Sequence, residues 1–272
     1  MKIYRLVIVV FLALLVGAVP ATAAPVARVN AGLQDVIDTV EKSFRPDRNT
    51  GLPPLATVTA DFFQRSTIAG KEREMRADGQ MFFKTASSRE PLMFRFDYFR
   101  PLKQEIVSDG RTLWMYLPEN RQVIVSDVTP VFNPYTFNPD RDRASNFLQG
   151  LPRISKDFLI VFSPQGQDIA GNYVLELTPR RATAAIAKLF IVVPREAVLS
   201  YVQSGRTSVN TVSSIGRQEW PFPILSTTMV DHQGSTTLME FSNVRTNIML
   251  SDSLFSFAVP PGVQVVKPPR KH

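Results

Sequence analysis

The stretch from Phe94 to Val125 most constrains the fold, because it consists of short strand-like segments separated by turn signals. In Phe94–Tyr98 aromatic side chains alternate with charged ones, which is the pattern of a strand with one buried face. At Asp109-Gly110, glycine tolerates the positive φ that a tight hairpin needs. The pattern predicts a run of antiparallel hairpins, and nothing in the stretch resembles a catalytic nucleophile, a metal cluster or a phosphate loop.

The same pattern continues along the chain and predicts a mainly β protein. Strands are predicted at Val58–Gln64, Gly79–Phe83, Met93–Tyr98, Gln104–Val107, Thr112–Tyr116, Gln122–Val125, Asp157–Phe162, Tyr173–Thr178, Lys188–Val193, Val198–Val202, Leu225–Val230 and Thr236–Phe241. Helical spacing of apolar residues predicts amphipathic helices over Ala31–Phe44 and Ala144–Leu151. Two helices and about twelve strands joined by turns favour an antiparallel sheet that curls on itself.

The N-terminus has the features of a secretory signal peptide. Lys2 and Arg5 precede an apolar run from Leu6 to Val19, and small residues follow it. A membrane anchor is the alternative, but the run is shorter than the roughly 20 residues that a spanning helix needs. We therefore expect residues 1–23 to be removed on export. The chain has no cysteine, which excludes disulfides and a lipid-modified N-terminal cysteine, and we expect it in the periplasm of a Gram-negative bacterium.

The charge distribution argues against a nucleic-acid-binding protein. The formal charge is +7, and loss of Lys2 and Arg5 leaves +5. Basic and acidic residues are interspersed, and no helix or face concentrates the positive charge. The proline-rich basic end, residues 267–272, is predicted to be a disordered tail.

The sequence contains no recognisable catalytic or metal site. The two histidines are His232, within a predicted hairpin turn, and the terminal His272. No Gly-x-Ser-x-Gly motif accompanies them, and no pair of histidines has zinc-ligand spacing. Asp109 is explained by its turn. We therefore predict no catalytic residue, no metal and no cofactor, with an enzyme of unrecognised site kept as an alternative.

Apolar side chains are the main candidate functional groups. The chain has 19 Phe and 8 Met, and both types suit a site that accepts flexible apolar chains. On several predicted strands such residues alternate with polar ones and would share one face of the sheet. Each of them could equally fill an ordinary core. Together with export and two amphipathic helices, the pattern favours an internal lipid site.

Several motifs, in order, resemble those of the periplasmic outer-membrane lipoprotein carriers, the LolA-like family. The motifs are Phe62-Phe63-Gln64, Arg89-Glu90-Pro91, the run Ser108–Pro118 with Ser-Asp-Gly followed by Trp-Met-Tyr-Leu-Pro, Gln122-Val123, and the closing Phe255-Ser256-Phe257 with Pro260-Pro261-Gly262-Val263. The resemblance extends over most of Leu33 to Val265. It implies an incomplete, open antiparallel β-barrel of about 11–12 strands, with short helices forming a lid over an apolar cavity, in a single domain spanning residues 24–266.

The resemblance also implies a function. Such carriers take triacylated lipoproteins from an inner-membrane transporter and pass them to an outer-membrane receptor, and we expect this chain to act as a monomer. The alternatives are a protein that binds another lipid or amphiphile, and a LolA-like lipoprotein sensor. Residues 205–223, rich in Ser, Thr and Gly, depart from the family pattern and form an apparent insertion, either an extended hairpin loop or a local cover.

The implied site is an apolar cavity closed by a latch. Its predicted lining combines helix and strand residues. The lining is Val36, Val40, Val58, Phe62, Met81, Phe83, Phe94, Phe96, Leu113, Met115, Phe147 and Leu148. In the family an arginine before a strand proline holds the lid closed through backbone carbonyls, and Arg89 is the matching residue. Here Glu90 intervenes before Pro91. Arg95 is a second candidate, more simply interpreted as a surface residue.

Overall fold

The computed structural model describes residues 31–127, 150–181, 186–206 and 221–267. The predicted signal peptide, Phe147 and Leu148 of the second predicted helix, residues 207–220 of the insertion and residues 268–272 of the tail lie outside the described residues. Within the described ranges, no helix is both long enough and apolar enough to cross a membrane.

The described residues form one twelve-stranded sheet, which confirms the predicted mainly β, open architecture. The strands are β1 Thr57–Thr67, β2 Glu74–Lys84, β3 Met93–Arg100, β4 Gln104–Ser108, β5 Thr112–Leu117, β6 Gln122–Asp127, β7 Phe158–Gln167, β8 Tyr173–Pro179, β9 Lys188–Val193, β10 Ser226–Val230, β11 Thr236–Thr246 and β12 Gln264–Val266. Their order is β12-β6-β5-β4-β3-β2-β1-β11-β10-β9-β8-β7. All pairs are antiparallel except β12 with β6, and in this part of the chain β12 and β7 are not joined to each other.

Within the described residues, three α-helices accompany the sheet. They are α1 Leu33–Phe44, α2 Ile154–Asp157 and α3 Arg195–Gln203, and short 3₁₀ turns lie at Pro118–Asn120, Leu151–Arg153 and Asp252–Phe255. Helix α1 matches the predicted helix, and it buries Val36, Ile37, Val40 and Phe44. Asp35 accepts a hydrogen bond from the N–H of Gly32 and so caps its first turn.

The prediction of a strand at Val198–Val202 is wrong, because this segment belongs to α3. Pro194 precedes the helix, and Ala197, Val198 and Tyr201 are its buried residues. Val198 and Tyr201 follow Ala197 by one and four residues, which places the three side chains on one side of the helix. The β-branched Val198 and Val202 suggested a strand, but this tertiary packing outweighs their weak intrinsic preference. Strand β12, by contrast, was not predicted.

The Asp109-Gly110 turn is confirmed. The Asp109 carboxylate accepts hydrogen bonds from the N–H groups of Arg111 and Thr112 at 2.8 and 2.7 Å, and Gly110 has φ +84°. A Cβ at Gly110 would lie 2.5 Å from the ring of Pro91. Glycine is therefore required here by both its backbone conformation and the close approach of Pro91.

The two faces of the sheet carry separate apolar layers. We define the inner face as the one that carries Phe62, Met81 and Phe94, which belong to the main core. The outer face carries a second layer at β4–β6, where strand alternation places the side chains of three residues opposite the inner face. These are Val107, Trp114 and Val123, of which the two valines are fully buried. The 3₁₀ turn Asp252–Phe255 contacts β3, and Tyr116 packs on Phe257 at 5.3 Å.

Candidate functional site

Two rows of apolar side chains cross the inner face of β1, β2 and β3. Strand register aligns Val58 with Phe83 and Phe94 in one row, and Ala60 with Met81 and Phe96 in the next. All six side chains are buried. Aromatic edge-to-face contacts join the rows: the Phe94 and Phe96 ring centroids lie 6.0 Å apart.

Helix α1 covers these rows. Val36 and Val40 are fully buried within the same apolar cluster, and the ring of Phe44 meets Phe83 edge to face at 6.2 Å. Eight of the twelve predicted lining residues therefore share this single cluster, which lies between α1 and the inner face. Those eight are Val36, Val40, Val58, Phe62, Met81, Phe83, Phe94 and Phe96.

Leu113 and Met115 occupy a more open part of the same face. Both are half-buried, and Leu113 packs against the central cluster. Register places Met115 opposite Ile106, which also packs against the cluster. The inner face therefore extends from a tightly packed centre under α1 to a partly accessible margin on β5.

A polar pair borders the cluster beside Phe62. The Tyr98 ring packs on Phe62 at 4.8 Å, and its hydroxyl donates to Gln64 Oε1 at 3.0 Å. Burial raises the pKa of Tyr98 to about 12, so the phenol remains a neutral donor at physiological pH. Gly79 makes room for this arrangement, since a Cβ there would lie 2.0 Å from the carbonyl oxygen of Asp97.

A buried carboxylate ties α1 to the segment that leads into β7. Glu41 is 4% exposed and accepts hydrogen bonds from the N–H and hydroxyl of Ser155 at 2.8 and 2.6 Å. Arg45 pairs with Glu41 at 2.5 Å and donates from Nε and Nη2 to the carbonyl oxygen of Pro152 at 3.2 and 3.0 Å. Sequence reasoning missed this connection, although the spacing of Glu41 and Arg45 is that of a helical ion pair.

A second polar group ties α1 to α3. Lys42 donates to the Tyr201 hydroxyl at 2.5 Å and pairs with Asp38 at 2.9 Å, while Tyr201 donates to Asp38 at 3.0 Å. Partial burial opposes charge here, but the hydrogen bonds prevail: the pKa of Asp38 is lowered and that of Lys42 is raised. Both edges of α1 are therefore fastened by charged side chains, while its apolar face rests on the cluster.

The two arginines singled out from sequence lie elsewhere. Arg89 is exposed, and among the described residues its guanidinium has no hydrogen bond or ion pair; only its backbone N–H is engaged, with Ser87 at 3.2 Å. Its latch role stays a prediction. Arg95 lies on the outer face, where it pairs with Asp97 at 2.9 Å and Glu105 at 2.6 Å. The interpretation of Arg95 as a surface residue agrees with this position.

A depression of about 500 Å³ lies on the opposite face of the sheet, over β1, β2 and β11. Its lining includes Asp61, which accepts hydrogen bonds from Gln80 at 3.0 Å and Asn243 at 2.7 Å. These hydrogen-bonded groups make it a poor site for an acyl chain. Within the described ranges, no three His, Cys, Asp or Glu side chains are grouped to hold a metal ion.

Comparison with known proteins finds similar sequences and a similar solved structure. The chain is 28% identical over 211 residues to an outer-membrane lipoprotein carrier protein of Chromobacterium violaceum, covering 77% of this chain and 81% of that relative. It is 26% identical over 213 residues to the protein of the same name from Nitrosospira multiformis, covering 77% and 82%. A solved LolA superfamily protein from Nitrosomonas europaea superimposes over 84% of this chain and 98% of its own, with a TM-score of 0.38 and 15% identity.

The family model described as "Outer membrane lipoprotein carrier protein LolA" matches residues 54–203, more than half of the chain. This range begins just before β1 and includes the inner-face rows of β1–β3 as well as α2 and α3. The chain therefore belongs to the LolA family.

Proposed function

We propose that this protein binds the acyl chains of lipoproteins between α1 and the inner face of the sheet, and carries the lipoproteins through the periplasm from the inner to the outer membrane. One observation carries the proposal: eight side chains predicted to line a lipid cavity, two from α1 and six from the sheet, meet in one apolar cluster. Polar contacts hold α1 at both edges above the sheet residues of that cluster. The names of the relatives in Chromobacterium and Nitrosospira support the same cargo.

Acyl chains require such an interior. Each methylene exposed to water costs roughly 0.8 kcal/mol, so three long chains left in water cost tens of kcal/mol. A cavity lined by Met81, Phe83 and Phe94 offers them no unpaired polar group, and methionine adapts to irregular shapes. The cluster is well packed around α1, so binding requires α1 to separate from the inner face.

Release is as important as binding for a carrier. The free energy difference between the closed and open states must be only a few kcal/mol, because a larger gap would prevent either loading or unloading. In the closed state two carboxylates hold α1 at its two edges. Glu41 accepts a hydrogen bond from Ser155, and Asp38 accepts one from Tyr201. The Asp38–Lys42 pair is partly exposed and can be exchanged for water at little cost, whereas the contacts of the buried Glu41 hold α1 more firmly.

Under this proposal the protein is a binding protein, which needs no catalysis, cofactor or nucleic acid. Its donor would be an inner-membrane lipoprotein-releasing transporter, and its acceptor an outer-membrane lipoprotein receptor. Loading of one cargo at one site is consistent with a monomer.

Photo-crosslinking at adjacent positions of β5 tests the proposal in cells. A benzoylphenylalanine in place of Met115 faces the inner side, and one in place of the neighbouring Trp114 faces the outer side. We expect triacylated lipoprotein to be captured from position 115 and not from position 114. Equal capture at both positions would contradict an inner-face site.

Native mass spectrometry of the protein purified from its own periplasm identifies the cargo. Release of a triacylated lipoprotein under denaturing conditions supports the carrier function. Release of a phospholipid or another amphiphile would instead establish a lipid-binding relative with a different cargo. If the protein is recovered without ligand, transfer of purified lipoprotein from inner-membrane vesicles decides the question, and failure to accept it overturns the proposal.

A further inference from the structure

The C-terminal end of α3 is shaped to direct one arginine at α1. Gly205 and Arg206 have φ of +74° and +61°, and their N–H groups donate to the carbonyl oxygens of Val202 and Tyr201, both at 3.1 Å. This is a Schellman motif, in which the chain reverses directly after the helix. The reversal brings Arg206 to Asp35 on the first turn of α1.

Arg206 donates two parallel hydrogen bonds to the carboxylate of Asp35. Its Nε lies 2.6 Å from Oδ1 and its Nη2 lies 3.1 Å from Oδ2. The hydrogen bond from Arg206 is the main cause of the lowered pKa of Asp35, so the carboxylate is ionised at neutral pH. Lys42 of α1 also donates to the carbonyl oxygen of Arg206 at 3.3 Å. The start of α1 is thus bound to Arg206, the second residue of the 205–223 segment.

The other end of the same segment contacts the other end of α1. Phe222 packs edge to face on Phe44, the last residue of α1, at 6.2 Å. On its other side Phe222 packs edge to face on Phe241 of β11 at 5.9 Å. Phe222 therefore bridges the end of α1 to the sheet.

We propose that Arg206 and Phe222 are positioning residues that hold α1 over the inner face and thereby set the affinity for acyl chains and their rate of release. This inference rests on the proposed function. Any ligand that displaces α1 must break both the Asp35–Arg206 pair and the Phe44–Phe222 contact, because they fix opposite ends of the helix. Arg206 and Phe222 lie near the two ends of the segment that departs from the family pattern, and through these two residues the chain tunes release.

Binding of a synthetic triacylated lipopeptide to single variants tests the proposal. Arg206→Ala removes the ion pair and leaves the Asp35 cap on Gly32 in place, and we expect the lipopeptide to bind about 2- to 5-fold more tightly. Phe222→Ala removes the aromatic contacts with Phe44 and Phe241, and we expect a gain in affinity of about 10-fold. Both variants should release the lipopeptide more slowly. The conservative Arg206→Lys and Phe222→Leu variants should lie between these and the parent protein.

The double variant Arg206→Ala/Phe222→Ala tests whether the two contacts act independently. Asp35 and Phe44 lie about 13 Å apart along α1, a distance at which effects usually add. The gains in affinity of Arg206→Ala and Phe222→Ala should therefore multiply. Arg73→Ala is the control, because it removes an exposed arginine from the β1–β2 turn; its affinity should equal that of the parent protein.

A purely structural role would give a different result. Loss of a contact that exists only in the closed state lowers the melting temperature of the ligand-free protein but not that of the lipopeptide-saturated protein. An equal loss in both forms, with unchanged affinity, would overturn the proposal.

Hydrogen exchange of the ligand-free protein separates this inference from the proposed function. In Arg206→Ala and Phe222→Ala the α1 amides should exchange faster, while those of β1–β3 should keep the parent rate. Unchanged hydrogen exchange of the α1 amides in both variants would contradict the inference even if the lipopeptide binds. Failure of the parent protein to bind the lipopeptide, with faster α1 exchange in the variants, would instead reject the proposed function alone.

Discussion

The two apolar layers of the sheet are covered in different ways. On the inner face α1 rests on the cluster, and most of its ties to neighbouring segments are side-chain contacts such as Glu41 with Ser155. One backbone hydrogen bond, from the N–H of Leu55 to the carbonyl oxygen of Ser43 at 2.9 Å, joins its last turn to the segment before β1. On the outer face the cover is the C-terminal segment, which buries Phe255 completely and continues into β12. Strand β12 is fixed to β6 by backbone pairing.

This difference indicates which cover can move. Opening the inner layer requires exchange of several polar side-chain contacts for water, which costs little for each contact that is solvent-accessible. Opening the outer layer requires loss of backbone pairing and exposure of a fully buried ring. The inner layer is therefore the one that can open more easily, as the proposed function requires.

The largest expected effect is on the outer layer. Phe255→Ala removes a ring that is fully buried, and we expect the free energy of unfolding to fall by about 3–5 kcal/mol. Lipopeptide affinity, normalised to the folded fraction, should not change. Urea unfolding and lipopeptide binding measure the two quantities. Phe99→Ala, at a half-exposed ring, is the control and should cost under about 1 kcal/mol. A change in affinity from Phe255→Ala would remove the distinction between the two layers.

The second largest effect is expected at α1, which covers the inner face. Glu41→Ala leaves the N–H of Ser155 without its acceptor and should lower the free energy of unfolding by about 2–3 kcal/mol. Exchange of α1 amides should accelerate, whereas β12 should keep its parent rate. Glu41→Gln, which retains an acceptor for Ser155, should cost about 1 kcal/mol. Glu72→Ala, in the exposed β1–β2 turn, is the matched control. An effect of Glu41→Ala no larger than that of Glu72→Ala would contradict the role of Glu41.

A third substitution tests the packing of the inner face itself. In Gly79→Ala the new Cβ would lie 2.0 Å from the backbone oxygen of Asp97 and 2.8 Å from the Phe62 ring, so β2 and β3 must move apart. We expect a loss of about 1–3 kcal/mol in urea unfolding. Gly150→Ala is the control, since its Cβ would enter open space at a φ of −71°. Equal stability of the two variants would show that the inner face tolerates displacement at Phe62.

Much of the fold follows from local pattern. The alternation in Phe94–Tyr98 and the Asp109-Gly110 turn predicted β3 and the β4–β5 hairpin, because each depends on neighbouring residues alone. Local pattern failed at Val198–Val202, where the β-branched residues favour a strand in isolation and burial against α1 and the core decides for a helix. Strand β12 was missed because three residues in a proline-rich end carry little signal, and its partner β6 is remote in sequence.

The candidate site, like the fold, has a part that local pattern predicts and a part that it does not. Val58, Met81 and Phe94 could be assigned to one face because strand periodicity is fixed. The groups that hold α1 could not be predicted, because Glu41 with Ser155 and Lys42 with Tyr201 join residues more than a hundred positions apart. Motif comparison pointed to Arg89 instead, whose side chain is exposed. Such tertiary contacts leave no periodic signal in a single sequence.

The smallest expected effect is a pH dependence at α2, the short helix whose Ser155 binds Glu41 of α1. Asp157 of α2 has a raised pKa, mainly because burial disfavours its charge; the nearby Glu41 adds to this, while Arg153, Arg181 and Lys156 oppose it. A group whose pKa is higher in the folded state than its unfolded value of 3.8 stabilises the fold at low pH, and that contribution is lost as pH rises through the folded pKa.

Asp157→Asn removes this proton-linked loss, so at neutral pH we expect the variant to be slightly more stable than the parent protein, with the difference shrinking below about pH 4. Urea unfolding at pH 3.5, 5 and 7 measures it. Asp168→Asn provides the opposite sign, because hydrogen bonds from Asn172 lower the pKa of Asp168, and its carboxylate stabilises the fold above pH 3.8. If both variants shifted in the same direction at pH 7, burial of Asp157 would not govern its charge, and the α2 end of the inner cover would carry no electrostatic strain.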